Sequence, residues 1–294
     1  TMSAISETTS QRLTLGMLED RYGFSLVPGF ARDVTVTSLA NDVESVTPGA
    51  LFIPGGRIEK ARAALAVQRG AYAMLLPTSM RNAIDDQQIP ILFADPTPQQ
   101  IGELAASIAG MPSESIAVFA VAGANNERLR EDVDAIAQFL HMLGNPVGTL
   151  CKGDSQSLER FLDLTYPVDT FSVQRVLSVC VEDGVAAVII ALDDETLAAG
   201  SLESVGVDVI GYDGETRNTD VEQALAQVCE RYGCVLDDNT HVAVRTDETD
   251  MMAIQADLGT GPSRPLSLAI AMVLAAGIRK SSIRSALRVS RELN

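Results

Sequence analysis

The chain of 294 residues has no tryptophan, two histidines and three lysines (Lys60, Lys152 and Lys280), and its aromatic residues amount to 4%. Each shortage excludes something. So few aromatics leave no stacking platform for the bases of a single-stranded nucleic acid. A formal net charge of −17 leaves too few cations to release counterions from a polyanion, so no nucleic-acid partner is expected. The same balance constrains small anionic ligands, which need a local concentration of Lys, Arg or backbone N–H groups. None of the lysines follows a glycine-rich turn, and arginine supplies nearly all the positive charge. Cys151, Cys180, Cys229 and Cys234 include no CxxC pair and no nearby histidine, which points to buried free thiols in a reducing compartment rather than to zinc. Long apolar runs are also missing. The best of them, Leu266–Ile278, is shorter than the roughly 20 residues of a membrane span. The opening TMSAISETTSQR lacks the apolar stretch of a signal peptide. Together these absences predict a cytoplasmic protein with no membrane partner.

What is present is apolar, 46% of the residues, and it is laid out as alternating strands and helices. Strands are expected at Leu51–Ile53, Ala71–Leu76 and Ile89–Ala94, with helices at Glu59–Arg69 and, opened by Pro96 and Pro98, at Gln99–Ala109. The stretch 110–115 has the composition of a linker. A second series follows. Ile116–Val121 is apolar throughout, as a strand buried on both faces must be. In Glu127–Leu143, the residues Val133, Ile136, Ala137, Leu140 and Leu143 keep the spacing of an amphipathic helix. Strands at Val185–Leu192 and Val207–Tyr212, a helix at Val221–Tyr232 and a helical pair parted at Gly277 complete the chain. Such alternation predicts an α/β fold in two domains, each a parallel sheet with helical crossovers.

The turn between the strand and helix of the second series carries a resemblance. Ala120-Val-Ala-Gly-Ala-Asn-Asn-Glu-Arg-Leu129 resembles the phosphate loop of the Mur ligases, whose pattern runs G-V-T-G-T-N-G-K-T-T. Val46-Thr-Pro-Gly-Ala-Leu-Phe-Ile53 is similar to the family's V-x-P-G-D-L-F-V segment, and Arg69-Gly-Ala-Tyr-Ala-Met-Leu75 to its R-G-A-x-A-V-V strand entry. Leu164-Thr-Tyr-Pro167 and the helix from Pro265 to Ile278 continue the match in order and spacing. The likeness is strongest to the ligases that add diaminopimelate or lysine to a UDP-N-acetylmuramoyl dipeptide. It implies a small N-terminal UDP-binding-like α/β domain over 1–95 and a central, P-loop-type ATPase-like domain over 96–294. The family's third, C-terminal domain is expected to be absent, since it would begin near Asn294.

The residues of the reaction centre depart from that pattern. In a phosphate loop, glycine lets the backbone approach the phosphates, a lysine neutralises their oxygens and a hydroxyl holds Mg²⁺. The candidate loop here is Gly123, Ala124, Asn125, Asn126, Glu127 and Arg128, with Asn126 for the second glycine, Glu127 for the lysine and Arg128 for the hydroxyl. At an effective dielectric near 20, a unit charge about 4 Å from a phosphate contributes roughly 4 kcal/mol, and Glu127 makes that contribution repulsive. The family's M-E-V-S-S-H corresponds to Ile190-Ala-Leu-Asp-Asp-Glu195, with Ala191 for the magnesium-binding Glu and Glu195 for the His. Its T-N-L-T-R-D-H corresponds to 213–219, where Thr219 replaces a metal-facing His. No lysine between Lys152 and Lys280 can stand for the carbamylated one. Gly123–Arg128 is therefore expected to be a strand-to-helix turn, Asp193 and Asp194 an exposed loop end, and no catalytic or metal-binding residue is assigned.

On the UDP side the family's D-S-R becomes Asp42-Val-Glu44, and its D-G-H region has no histidine. Ser38, Asp42, Gly55, Gly56, Arg57 and Thr165 remain as candidates for a sugar-nucleotide contact. His141 and His241 have no acid–base neighbour in sequence and receive no role. The resemblance thus implies a non-catalytic relative needing no cofactor, whose partner is a true Mur ligase or another copy of itself. Two alternatives stay open: a divergent ligase using ATP and Mg, and a sensor that holds a UDP-muramoyl peptide without turning it over.

Overall fold

The computed structural model describes residues 13–83, 88–123, 125–214, 221–234, 236–256 and 263–293. The chain forms two compact units that divide between Met111 and Pro112. The division falls inside the segment read as a linker and not at 95/96.

The first unit runs β1 (Leu13–Thr14), α1 (Leu15–Tyr22), β2 (Ser25–Val27), β3 (Thr35–Val36), β4 (Ser38–Ala40), β5 (Ala50–Phe52), α2 (Lys60–Gln68), β6 (Ala71–Leu76), β7 (Ile91–Phe93) and α3 (Pro98–Ala109). Its described strands form a sheet of order β2-β7-β6-β5-β4, parallel except for β2 at one edge, and a separate β1–β3 pair. Phe52, Met74, Leu76 and Phe93 fill its core, with Ala66 of α2 against them. The start of α3 follows from its sequence. Thr97 accepts the Gln100 N–H while the Gln100 side chain accepts the Thr97 N–H, and Pro98 occupies the first turn, where no N–H is needed. Gly110 ends the helix with φ 81°. Leu104, Ala105 and Ala106 are buried and α3 lies beside β4, which is why it belongs to the first unit, whereas a boundary at 95 assigns it to the second.

The second unit runs β8 (Ala117–Gly123), α4 (Asn126–Met142), β9 (Val147–Leu150), β10 (Gln156–Ser157), β11 (Arg160–Phe161), α5 (Thr170–Glu182), β12 (Ala187–Ala191), β13 (Val209–Asp213), α6 (Val221–Tyr232), β14 (His241–Val244), α7 (Asp247–Ala256), α8 (Ser263–Ala275) and α9 (Lys280–Leu293). The sheet order is β11-β10-β9-β12-β8-β13-β14. The five strands from β9 to β14 are parallel, and a short antiparallel hairpin borders β9. Successive side chains of β8 serve two cores. Val118, Ala120 and Ala122 pack with Val173 and Leu177 of α5 and Leu225 of α6. Phe119 and Val121 pack with Leu129, Val133 and Ile136 of α4 and Leu268 and Met272 of α8. This accounts for the unbroken apolar character of β8, since the period of two puts every residue against one helical layer or the other. Among the described residues no helix is long and apolar enough to cross a membrane.

Gly70 joins α2 to β6 at φ 103°, and a Cβ there would lie 2.9 Å from the Cα of Pro48. Its carbonyl also accepts the Gly49 N–H at 3.0 Å. Gly70→Ala is expected to cost about 2 kcal/mol or more, from a disfavoured φ and a clash with backbone. A lower urea midpoint of the first unit checks this; an unchanged midpoint would show that the turn relaxes.

Candidate functional site

The parallel strands β8, β9, β12 and β13 end along one edge of the sheet, with Gly123 opposite Asp213, Val121 opposite Ala191 and Ile190 opposite Leu150. In open parallel sheets that edge receives ligands where successive connections diverge. Here the chain leaves β8 toward β9 on one side and later returns to β13 on the other, so the divergence falls at β8.

The connection from β8 to α4 is a capped turn. Asn125 is extended (φ −141°, ψ 121°), and its Oδ1 accepts the N–H of Glu127 at 2.9 Å and of Arg128 at 3.2 Å. Asn is among the best residues for this cap, which contributes about 1 kcal/mol. Asn126 is consequently the first helical residue, one earlier than the expected start at Glu127, and Glu127 lies in the first turn where its charge suits the helix dipole. Two of the N–H groups that a helix start can offer to a phosphate, those of Glu127 and Arg128, are thus engaged by the chain itself. Asn125, Asn126, Glu127 and Arg128 are exposed, Gly123 is half-buried, and Ala124 lies outside the described residues.

A second cluster surrounds Glu195, just beyond β12. Its Oε1 accepts from the Asn126 amide at 3.2 Å, and its Oε2 accepts from Lys152 Nζ at 3.0 Å and from Arg130 at 3.4 Å. These partners hold the Glu195 carboxyl below its ordinary pKa, the Lys152 hydrogen bond foremost. Asp193 accepts the N–H groups of Glu195 and Thr196 and the Thr196 hydroxyl. Asp194 is exposed, yet it forms a two-pronged pair with Arg231 and accepts the Tyr232 hydroxyl at 2.7 Å. The loop end is therefore structured by its acids.

A third cluster lies beneath the edge. Asp213, buried at the end of β13, accepts from Arg264 Nε at 2.8 Å. Asp132, on the inner face of α4, is 1% exposed, and its Oδ2 has no hydrogen-bond partner. Burial pushes the Asp132 carboxyl up to about 7, the Asp213 charge raising it further and Arg264 opposing. Neither the Glu195 cluster nor the Asp213–Arg264 pair is visible in sequence, because their members stand 43 and 51 residues apart. The Asn125 cap does have a signal, an Asn placed one residue before the helical pattern begins.

The remaining candidates fall in both units, and those of the first unit lie at opposite edges of its sheet. In the first unit, Asp42 follows β4 and Gly55, Gly56 and Arg57 follow β5, so these four share the C-terminal edge of that sheet. Ser38 begins β4, at the opposite edge, where its hydroxyl lies 3.1 Å from that of Thr47. Asp42 caps its own turn by accepting the Ser45 N–H at 2.7 Å. Thr165 is exposed in the second unit, before the cis Tyr166–Pro167 bond. His141 sits in the last turn of α4 and His241 at the entry of β14, both at the far ends of their elements from the β8 edge.

No family model matches the chain. In sequence it is 28% identical over 199 residues to the UDP-N-acetylmuramoyl-L-alanyl-D-glutamate–2,6-diaminopimelate ligase of Pseudomonas aeruginosa, covering 66% of this chain and 40% of that protein. The ligase of the same name from Xanthomonas campestris is 33% identical over 127 residues, 41% of this chain and 24% of the relative. The chain is similar in sequence to the Mur ligases. Solved structures agree at the level of fold. A UDP-N-acetylmuramoyl-L-alanyl-D-glutamate–2,6-diaminopimelate ligase superimposes with a TM-score of 0.59 at 13% identity, covering 96% of this chain and 67% of that one. The D-alanyl-D-alanyl-adding ligase of Acinetobacter baumannii gives 0.53 at 11%, covering 94% and 68%. The chain spans about 40% of the length of the Pseudomonas protein it matches.

The donors present at the β8 edge do not fit a magnesium nucleotide. Asn125 takes the N–H groups of Glu127 and Arg128, Glu127 puts a carboxylate in the first helical turn, and Ala191 at the end of β12 is apolar and buried. Asp213 is paired with Arg264, and among the described residues no group of three or more His, Cys, Asp or Glu side chains is placed to hold a metal ion. Thr219 lies outside the described residues.

Asp132 yields a pH prediction. Its folded pKa lies above that of the unfolded chain, so the folded state binds more protons between about pH 4 and 7. Stability from this group is full below that window and is lost as pH rises through it, at no more than about 1.4 kcal/mol per pH unit. Asp132→Asn should remove that slope and leave the variant more stable than the parent at pH 8. Urea unfolding of both proteins at pH 5 and 8 measures the difference; parallel losses in the two would contradict it.

Proposed function

We propose that this Mur ligase relative is a non-catalytic protein of peptidoglycan precursor synthesis, a binding or scaffolding partner and not an ATP-dependent ligase. The observation that supports it most is the start of α4, where Asn125 takes the N–H groups of Glu127 and Arg128 and the first turn carries a carboxylate in place of a cation. Transfer of a phosphoryl group depends on positioning and on cations that spread the developing charge. A capped helix start with Glu127 beside it opposes both. The apolar framework meanwhile keeps the Mur fold, which leaves its surfaces available for recognition. The partner in this reading is a Mur ligase proper or a second copy of the chain. The activity named for the similar ligases makes a UDP-N-acetylmuramoyl dipeptide the small molecule to try, at the edge bearing Asp42, Gly55, Gly56 and Arg57.

Thermal unfolding with Mg·ATP and, separately, with UDP-N-acetylmuramoyl-L-alanyl-D-glutamate tests the proposal. A ligand at 100 times its Kd adds about 2.7 kcal/mol to stability. At millimolar concentration Mg·ATP is expected to produce no shift. A shift with Mg·ATP would overturn the proposal in favour of a divergent ligase, and one with the sugar nucleotide alone would identify a sensor.

A further inference from the structure

The Glu195 cluster has the make-up of an anion site that is already filled. Its donors come from three places in the fold: the Asn126 amide at the first residue of α4, the Arg130 guanidinium one turn further along, and Lys152 after β9. They engage both oxygens of a single carboxylate. The scaffold behind them is fixed by buried contacts. The Lys152 N–H donates to Thr196 Oγ1 at 3.0 Å, Thr196 is fully buried, and its hydroxyl donates to Asp193 Oδ2 at 2.9 Å. Asp193 Oδ1 in turn accepts the Glu195 N–H at 2.8 Å, so the Lys152 backbone is tied to the turn that carries the carboxylate. Asp193 is occupied with that turn and Asp194 with Arg231. Arg130 and Lys152 thus place two cations around one resident carboxylate, in a chain whose net charge is −17. A phosphate group, carrying about −1.5 to −2 at neutral pH with three acceptor oxygens, matches two cations and an amide better than a carboxylate does.

We propose that Asn126, Arg130 and Lys152 form a phosphate-type oxyanion site whose resident occupant is the chain's own Glu195 carboxylate. An external phosphate group competes with Glu195 for the site and enters fully when that carboxylate is neutralised or displaced. The site is separate from the Asn125-capped N–H groups, and it holds whether or not the chain turns over ATP.

Inorganic phosphate, titrated against sodium chloride at matched ionic strength, is the probe. Glu195→Gln keeps the volume of the side chain and removes its charge; Glu195→Ala is measured beside it. Both variants are expected to bind phosphate at least tenfold more tightly than the unchanged protein, seen as a saturable rise in Tm that chloride does not reproduce. Adding Lys152→Ala to Glu195→Gln should abolish the gain. Phosphate affinity in the Glu195 variants no higher than in the unchanged protein, or undiminished by Lys152→Ala, would overturn the proposal. Neither result bears on Mg·ATP, so failure here leaves the reading of the α4 cap standing.

Discussion

β8 is apolar from Ala117 to Ala122 because helices cover both faces of the sheet at its middle, and the candidate site depends on that constraint. A strand packed on two sides cannot shift register by one residue without exchanging its two sets of core contacts. Its end is therefore fixed, which delivers Gly123 opposite Asp213 and sets where α4 starts. α4 is then locked along its length by Leu129, Val133, Ile136, Phe139 and Leu140 against the sheet and α8. The few polar residues of the turn inherit positions determined by some of the most deeply buried parts of the molecule.

Because that edge is held so firmly, its polar groups must find partners near where the backbone leaves them. Here they find one another. Asn125 caps its own helix, Asp193 organises the turn after β12, Glu195 gathers Asn126, Arg130 and Lys152, and Asp213 pairs with Arg264. The exposed ion pairs among them add little stability individually, commonly under about 1 kcal/mol. Their importance is in occupancy: a donor satisfied internally is a donor that a ligand must compete for. Asp132 is the exception, a buried carboxyl whose second oxygen is left without a partner and which therefore favours its proton.

The sequence reveals the parts of this arrangement that depend on local pattern. The expected strand Ala71–Leu76 and helix Val221–Tyr232 coincide with β6 and α6, and the all-apolar run at 116–121 becomes β8 with both faces covered. Elements with weaker local signals escape. β9 is four residues long and contains Gly148, which sits close to Cys180 Sγ. α7 opens on Asp247, Glu248 and Asp250 and leaves Met251 and Ile254 exposed, so its apolar residues trace no clean stripe. The turn at Gly123–Arg128 is legible from its residue types. The convergence on Glu195 is not, since only folding brings β9, β12 and α4 to one edge.

The separation between core and edge also means that the fold and the polar residues at the strand ends are under different physical constraints. The apolar residues of β8, β12 and β13 are buried almost without exception, and replacing one of them by a smaller residue typically costs a few kcal/mol. The polar residues at the strand ends, Asn126 to Arg128 and Glu195, are exposed, and apart from the Asn125 cap a substitution there costs little in folding terms. Drift there meets no resistance from stability. The polar network that resulted is nevertheless not random in sign. In a chain with so large a negative charge, Lys152 and Arg130 have been brought to one carboxylate, and Arg264 to another. Repulsion among acids crowded at the strand ends would otherwise oppose closing the sheet edge, and these cations offset it. The edge thus has a structural reason of its own to hold cations, independent of any ligand.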